Sequence, residues 1–298
     1  MKFKKSILQE SLNYLKPVSA LTRLIDLNNP KLKKIEAELS GSYRSIQKSN
    51  GFDFREIREY VMGDDLRHIS WKSTAKTNTL QTKEYTAEKE IRSFFLIDIS
   101  NSMICGKKLQ TLILSLTYLL NLCCGFSEKI GGLLYSNEIK NFIPLANSTN
   151  QANVLLNSIF NFHENLDSQL VSNFGITNIT QALNFAKSLL RKKGLIFIIS
   201  DFINISNFEK SMFEASQKQN IYAIQISDPI DFEIPKIGYA NIINPETKEN
   251  FLVNTDSKIV REAFKALVLE KQKKFNGFLK SVGVHYFELN VNDFPSKV

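Results

Sequence analysis

From about residue 91 to the C-terminus, short apolar segments of strand length alternate with longer segments of helical periodicity. The most apolar short segments, 91–98 and 195–200, are nearly continuous, which is typical of parallel strands buried on both faces. Further strands are predicted at 130–135, 139–143, 221–226, 251–254 and 284–289, and helices at 107–126, 151–162, 178–192, 206–219 and 257–281. The pattern predicts an α/β fold: a doubly wound, mostly parallel sheet with helices on both faces.

The first 90 residues follow a different pattern, with helical segments punctuated by proline and then a polar stretch before one more predicted strand at 80–85. We therefore divide the chain into an N-terminal helical segment (1–40), a smaller accessory region (41–90) and the α/β domain (91–298).

Composition excludes several classes of protein. With 298 residues, 43% of them hydrophobic and 23% charged, the chain has the composition of a folded globular protein. Its longest apolar stretch, 112–125, is interrupted by Ser115, Thr117 and Asn121, so we expect no membrane span. The N-terminus lacks the apolar core of a signal peptide, and the three cysteines are an odd number without metal-site spacing. These features favour a cytoplasmic protein.

The net charge of +8 is concentrated toward the N-terminus, where residues 1–90 hold 17 Lys and Arg against 12 Asp and Glu. Such a bias can attract nucleic acid or an anionic membrane. However, the basic residues are scattered and few aromatic residues lie between them. We therefore interpret them as a solvated surface and do not expect a nucleic-acid partner.

Strand 91–98 is followed by a short polar motif. Asp98, Ser100 and Ser102 form an Asp-x-Ser-x-Ser sequence at the carboxyl edge of a central strand, where ligands of open α/β sheets bind. One carboxylate and two hydroxyls at alternate positions can direct three oxygens toward one point, and hard cations prefer oxygen ligands. The alternative is that these side chains only cap the following helix.

Two further oxygen donors follow other predicted elements at the same edge. Asp201 comes directly after strand 195–200, and Thr177 lies in a loop that opens helix 178–192, two residues after Gly175. Five donors thus come from three element ends. We therefore expect a site for Mg²⁺ or Mn²⁺, with Thr180 as the alternative to Thr177.

This set resembles the metal-ion-dependent adhesion site of von Willebrand factor A (vWA) domains. The resemblance covers about residues 91–290, and all five donors match the family pattern: Asp98, Ser100, Ser102, Thr177 and Asp201. It implies that the hydroxyls coordinate the metal directly and the aspartates largely through water. It also implies one coordination position left for a carboxylate of a protein partner, and hence a protein-interaction module.

A second motif spans residues 58–76 and contains the single tryptophan of the chain. Its glycine permits a tight turn, either of the next two aspartates can cap a helix from about Leu66, and its charged residues can form ion pairs. The residues that we single out are Arg58, Tyr60, Gly63, Asp64, Asp65, Arg67 and Trp71. We expect the motif to be chiefly architectural, with a role as an interface as the alternative.

The same motif is similar to the signature of the domain of unknown function 58 (DUF58) family, which carries it directly before a vWA-like domain. Four upstream positions complete the pattern: Gly41, Ser45, Gly51 and Phe54. Ser70 stands where the family commonly has Asp or Asn, and Lys76 where Arg is usual. The resemblance implies a cytoplasmic bacterial protein that works with a MoxR-type AAA+ ATPase or with a client of that ATPase.

The sequence contains no recognisable catalytic constellation. His68, His163 and His285 do not form a ligand set, and Ser100 lies outside any Gly-x-Ser-x-Gly sequence. A nucleotide-binding Gly-x-x-x-x-Gly-Lys-Ser/Thr sequence is also absent. We therefore expect a non-catalytic protein. Two alternatives stay open: a Mg²⁺-dependent phosphohydrolase that uses the same aspartates, and a basic nucleic-acid-binding protein.

Overall fold

The computed structural model describes residues 29–49, 52–87, 91–104, 107–127, 129–164, 177–203, 205, 207–243 and 250–293. Residues 1–28 of the predicted N-terminal helical segment lie outside these ranges. The same is true of Gly51, Cys105 and Gly175.

The described helices and strands follow the predicted alternation. The N-terminal elements are α1 (Pro30–Ser49), β1 (Phe52–Glu59), α2 (Trp71–Thr77) and β2 (Gln81–Ala87). Next come β3 (Arg92–Asp98), α3 (Asn101–Ile104), α4 (Lys108–Phe126), β4 (Lys129–Tyr135), β5 (Ile139–Asn147), α5 (Ser148–Glu164), α6 (Ile179–Leu189) and β6 (Leu195–Ser200). The last are α7 (Glu209–Ser216), β7 (Asn220–Ser227), α8 (Pro229–Phe232), β8 (Tyr239–Ile243), β9 (Asn250–Asn254), α9 (Lys258–Ser281) and β10 (His285–Asn290).

Six strands form the central sheet in the order β10-β7-β6-β3-β4-β5. All neighbouring pairs are parallel except β4 and β5, which are antiparallel. The predicted fold class is confirmed as a doubly wound, mostly parallel α/β sheet. Strand β3 lies inside the sheet between β6 and β4, so its end is flanked by other strands on both sides.

Helices cover both faces of this sheet. Side chains alternate along β3: Phe95 and Ile97 pack in a core cluster with residues of α1, α4 and α5, whereas Phe94 and Leu96 pack with residues of α6, α7 and α9. Because both faces of the strand are buried, its central positions from Phe94 to Ile97 are all apolar. This explains the continuous apolar segments in the sequence.

Helix α1 belongs to the core that the sheet forms. Its buried residues repeat at three- and four-residue spacing and so form one apolar stripe: Leu32, Ile35, Leu39, Tyr43 and Ile46. The helix runs through the predicted boundary between residues 40 and 41. Hydrogen bonds reinforce the packing, since the Tyr222 hydroxyl of β7 donates to Ser42 Oγ at 2.6 Å.

Helix α4 is, among the described residues, the one helix long and apolar enough to cross a membrane by length and composition. Its leucines Leu112, Leu116, Leu119 and Leu120 are buried in the core beside the sheet. Core packing therefore accounts for the apolar composition of this helix. The absence of a membrane span stays a prediction.

Two short ribbons lie outside the central sheet. Strands β1 and β2 form an antiparallel pair, and β8 and β9 form another. The strand predicted at 251–254 therefore belongs to a ribbon, consistent with the exposure of Leu252 and Tyr239. Strand β1 was not predicted because its residues are mostly charged. The helix predicted from about Leu66 is a 3₁₀ turn, Leu66–His68, followed by α2.

Candidate metal centre

The strand order places a crevice at the carboxyl ends of β3 and β6. From β3 the chain continues to β4 and β5 on one side and then returns to form β6 on the other side. The direction of winding thus changes between β3 and β6, and ligands of open α/β sheets bind at such a switch point. Asp98 is the last residue of β3, and Asp201 directly follows β6.

Asp98 is almost completely buried, with 1% of its surface exposed. Its Oδ1 accepts a hydrogen bond from the Ser100 backbone N at 2.8 Å, and its Oδ2 accepts one from Ser200 Oγ at 2.6 Å. Burial raises the pKa of Asp98 to about 6, and the negative charge of Asp201 adds to the shift, while the bonds from Ser200 and Ser100 oppose it. The carboxylate is therefore held in one orientation in an environment that favours a nearby positive charge.

The predicted hydroxyl donors lie at the same edge. Ser100 Oγ and Ser102 Oγ are 3.1 Å apart in the loop and helical turn that follow β3. Thr177 is buried and forms an isolated parallel bridge with Ile205, which lies four residues after Asp201. The structure therefore brings the ends of β3 and β6 and the start of α6 to one edge of the sheet.

The alternative donor Thr180 is engaged elsewhere. Its hydroxyl donates to the backbone oxygen of Asn207 at 3.0 Å, from within the first turn of α6. Thr177 precedes this helix and is the more deeply buried of the two threonines. The geometry favours Thr177 as the donor.

A lysine that sequence analysis missed also belongs to this site. Lys108 lies in the first turn of α4, and its Nζ is 3.0 Å from Asp201 Oδ2 and 2.8 Å from Asp231 Oδ1. Burial lowers the pKa of Lys108, but the two carboxylates outweigh that effect and the pKa is raised overall. A signal was present, because Lys108 precedes Leu112 and Ser115 by one and two helical turns on the buried face.

Asp231 brings a third strand end to the site, because α8 follows directly after β7. Its Oδ2 accepts a hydrogen bond from the Asp228 backbone N at 2.9 Å, as part of a capping box. Burial raises the pKa of Asp231, while the hydrogen bond and charge of Lys108 oppose the shift. The signal in the sequence was an Asp-Pro-x-Asp segment after a predicted strand.

The Tyr135 hydroxyl, at the end of β4, is fully buried and makes no hydrogen bond of ordinary geometry within the described part of the chain. The pKa of Tyr135 is raised, mainly because the hydroxyl is buried. The negative charges of Asp98 and Asp201 add to this shift, and the nearby Ser200 hydroxyl opposes it. An unpaired polar atom beside two buried carboxylates indicates that this edge is built to hold a polar group.

The five predicted donors fit a hard divalent cation in their chemistry, since they are carboxylate and hydroxyl oxygens, and the unpaired Tyr135 hydroxyl lies nearby. The described residues contain no group of three or more His, Cys, Asp or Glu side chains that could hold a metal ion. The site predicted from the sequence has two carboxylates, Asp98 and Asp201, and otherwise relies on neutral hydroxyls.

The second motif lies on the β1–β2 ribbon. Arg58 contacts Asp64 through two hydrogen bonds of 2.7 and 2.8 Å, and Arg67 contacts Asp65 at 2.7 Å. Gly63 has a φ of 112°, which favours glycine in the turn between them. The predicted ion pairs are therefore present, within a loop of the ribbon.

The remaining motif residues do not form a core. The Tyr60 backbone N donates to the Leu80 backbone O at 2.8 Å, which closes the ribbon. Trp71 is 69% exposed and Met62 is 98% exposed. Single exposed apolar side chains are common on protein surfaces. The motif thus combines internal ion pairs with exposed apolar side chains.

His285, one of the predicted non-ligand histidines, contacts α1 and β7. Its Nδ1 lies 2.9 Å from Glu38 Oε2, and its ring stacks on Tyr222 with centroids 4.7 Å apart. These contacts join α1 to β7 and β10. His285 therefore lies away from the carboxyl edge where the predicted ligands meet.

The family to which the chain belongs follows from a match that covers most of its length. The family described as "Protein of unknown function DUF58" matches residues 56–274. The chain belongs to the DUF58 family. The DUF58 match includes the motif from Arg58 to Trp71 and the five predicted metal donors.

This DUF58 protein has similar relatives in mycobacteria. It is 22% identical to the uncharacterized protein Mb1516 of Mycobacterium bovis over 254 residues, which are 80% of this chain and 75% of that protein. The values are the same for the uncharacterized protein Rv1480 of Mycobacterium tuberculosis. A shorter similarity, 29% over 70 residues, links it to the uncharacterized protein MAV169 of Mycobacterium avium, covering 24% of this chain and 41% of that protein.

Solved structures also resemble this DUF58 protein. The conserved hypothetical protein BatB from Bacteroides thetaiotaomicron has a TM-score of 0.41 and 16% identity, over 67% of this chain and 90% of that chain. An aerotolerance-related membrane protein from Bacteroides fragilis has a TM-score of 0.45 and 17% identity, over 70% of this chain and 95% of that chain. A von Willebrand factor type A protein from Catenulispora acidiphila has a TM-score of 0.34 and 13% identity, over 49% of this chain and 35% of that chain.

Proposed function

We propose that this DUF58 protein is a non-catalytic, cytoplasmic protein-interaction module that binds a carboxylate of its partner through a divalent metal. The metal, Mg²⁺ or Mn²⁺, would be held by the five predicted donors: Asp98, Ser100, Ser102, Thr177 and Asp201. The observation that carries the proposal is the position of the buried Asp98 and Asp201 at the switch point of the sheet.

The charge of the donor set supports this function. Ser100, Ser102 and Thr177 are neutral, so Asp98 and Asp201 supply two formal negative charges. The bound metal supplies a positive charge that a carboxylate from outside can bind. Two hydrogen bonds already fix the orientation of the Asp98 side chain, so metal binding costs little additional conformational entropy there.

The partner that we propose is a MoxR-type AAA+ ATPase or a client of it, because the DUF58 and vWA resemblance of the sequence implies that association. The role would be in the assembly or remodelling of a complex. An Asp or Glu side chain of that partner would complete the metal coordination, so the interaction would depend on the metal.

The test measures metal and partner binding separately. Calorimetric titration with MgCl₂ and MnCl₂ should give binding to the wild-type chain, and Asp98→Ala should abolish it while the chain stays folded. Binding to the purified MoxR-type ATPase should be lost in EDTA and restored by excess Mg²⁺. Equal affinity for the ATPase in both conditions would contradict the proposal.

Two threonines provide a matched pair of variants. Thr177→Ala should weaken metal and partner binding about tenfold or more, because it removes a direct ligand. Thr180→Ala should leave both within about twofold of wild type, since the Thr180 hydroxyl bonds Asn207 rather than the proposed metal. Equal effects of the two substitutions would argue against the assigned ligand set.

A further inference from the structure

Lys108 is the buried cation of the metal centre. Among the lysines and arginines that the structure describes, it is the one whose side chain is buried. Its Nζ bridges Asp201 Oδ2 and Asp231 Oδ1 at 3.0 and 2.8 Å. Burial of an ammonium group is costly unless the charge is paired. These two carboxylates are therefore what keeps the ammonium at the site.

The lysine occupies a carboxylate on which the proposed metal site depends. Asp201 Oδ2 is bound to Lys108, and Asp201 Oδ1 accepts a hydrogen bond from the Ile203 backbone N at 3.2 Å. A divalent cation held by Asp98 and Asp201 would share Asp201 with this ammonium. Two cations a few ångströms apart repel each other strongly where water is excluded.

Asp231 offers the ammonium a second partner. Its Oδ2 is fixed by the Asp228 backbone N, which leaves Oδ1 directed at Lys108. The ammonium can therefore give up Asp201 and still keep a charged hydrogen-bond partner. Asp231 is not one of the five proposed metal donors, so this retained contact does not compete with the metal.

We infer that Lys108 sets the metal affinity of this site by competing for Asp201, and that Asp231 receives the ammonium when the metal binds. This inference rests on the proposed function, because it concerns the same metal centre. In the metal-free chain Lys108 pairs with both Asp201 and Asp231. In the metal-bound chain Lys108 pairs with Asp231 alone. The site consequently binds metal more weakly than its carboxylates would allow without the lysine.

The first test compares two adjacent lysines in the full chain by calorimetric titration with MnCl₂. Lys108→Met keeps most of the aliphatic length but removes the charge, so Mn²⁺ should bind about tenfold more tightly or better. Lys107→Met removes a charge from the exposed neighbour and should change the affinity by less than about twofold. An unchanged or weaker Mn²⁺ affinity in a folded Lys108→Met variant would overturn the inference.

A second experiment measures the unfolding temperature of wild type and Lys108→Met with and without Mn²⁺. Without metal, Lys108→Met leaves Asp201 and Asp231 without their buried counter-ion, so the variant should unfold at a lower temperature than wild type. Addition of Mn²⁺ should then raise the unfolding temperature more in Lys108→Met than in wild type, because the metal replaces the missing charge. An equal rise in both proteins would contradict competition by Lys108.

Asp231→Asn tests the transfer of the ammonium, and the Mn²⁺ affinity of this single variant can be measured whether or not Lys108→Met folds. Asparagine keeps an oxygen for the Asp228 N–H but loses the charge that attracts Lys108. Mn²⁺ affinity should fall about threefold or more, and the same substitution should have a smaller effect in the Lys108→Met background. Additive effects of the two substitutions would show that Asp231 acts only as a distant charge and would overturn the transfer.

The experiment separates failure of this inference from failure of the proposed function. If wild type binds Mn²⁺ and Lys108→Met binds it no more tightly, the inference falls and the metal centre remains. If neither folded protein binds Mn²⁺, the metal centre itself is wrong and the inference falls with it.

Discussion

Arg58 and Asp64 form an ion pair with two parallel hydrogen bonds, from Nη1 to Oδ2 at 2.7 Å and from Nη2 to Oδ1 at 2.8 Å. The same carboxylate also accepts a hydrogen bond from the Val61 backbone N at 3.0 Å. One aspartate thus fixes both the strand end and the turn of the β1–β2 ribbon. A pair with this two-pronged geometry is more specific than an ordinary surface ion pair.

Asp64→Asn should therefore lower the unfolding temperature at neutral pH. The contacts to Arg58 and Val61 hold the pKa of Asp64 below its usual value. The contribution of Asp64 to stability is therefore fully present above about pH 4 and is lost as the pH falls through the lowered pKa of the folded chain. Thermal unfolding of both proteins at pH 7 and pH 2 checks this. If Asp64→Asn lowered the unfolding temperature equally at both pH values, the charge of Asp64 would not be the cause of the stabilisation.

The raised pKa of Asp98 predicts a pH dependence of opposite sign. In EDTA the folded chain holds the Asp98 proton up to about pH 6, whereas the unfolded chain releases it near pH 4. The contribution of protonated Asp98 is thus lost between pH 4 and pH 6. Asp98→Asn should match wild type near pH 4 and be more stable above pH 6, by up to about 3 kcal/mol. Parallel stability curves from pH 4 to pH 8 would contradict this.

Gly132 of β4 should not tolerate a side chain. A Cβ at this position would lie 2.6 Å from the Phe95 backbone O and 2.9 Å from Leu155 Cδ2, between the central strand and α5. Gly132→Ala should cost about 1–3 kcal/mol, because backbone in the sheet cannot yield easily. Gly125→Ala in α4 is the control, since no atom lies within 4 Å of its added Cβ, and chemical denaturation should show no loss there.

Trp71→Ala should leave stability within about 0.5 kcal/mol of wild type, because the indole is largely exposed. The contrasting variant is Phe197→Ala. Phe197 is fully buried and stacks between Phe95 and Tyr222 at centroid distances of 4.7 and 5.3 Å, so about 3–5 kcal/mol should be lost. If Trp71→Ala unfolded as readily as Phe197→Ala, the exposed ribbon would be part of a core.

The apolar pattern of the sequence predicted the sheet well for a physical reason. Strands such as β3 and β6 are buried on both faces, so most of their positions are apolar and the pattern is visible locally. Strand β1 was not predicted because it lies in a two-stranded ribbon outside the main sheet, where a strand can consist mostly of charged residues. Strand order is also not a local property, so Asp98 and Asp201 were predicted at one edge but not on adjacent strands.

The three donors of the Asp-x-Ser-x-Ser motif and the two residues that were missed, Lys108 and Asp231, differ in the same way. An Asp-x-Ser-x-Ser motif is a local pattern that sequence alone can show. Lys108 and Asp201 lie 93 residues apart in the chain, and their contact exists only because α4 and β6 meet in the fold. Local spacing placed Lys108 on a buried face but gave no information about its partner.

Helix α1 determines how this chain can be divided. Its residues cover Tyr222 of β7, and the Tyr118 hydroxyl of α4 donates to the Leu32 backbone O at 3.3 Å. A fragment that starts at residue 91 would leave this apolar face open to water and to self-association. Residues 91–298 alone therefore lack part of the core that covers their sheet. Any protein that carries it without such a helix has to cover the same face by other means.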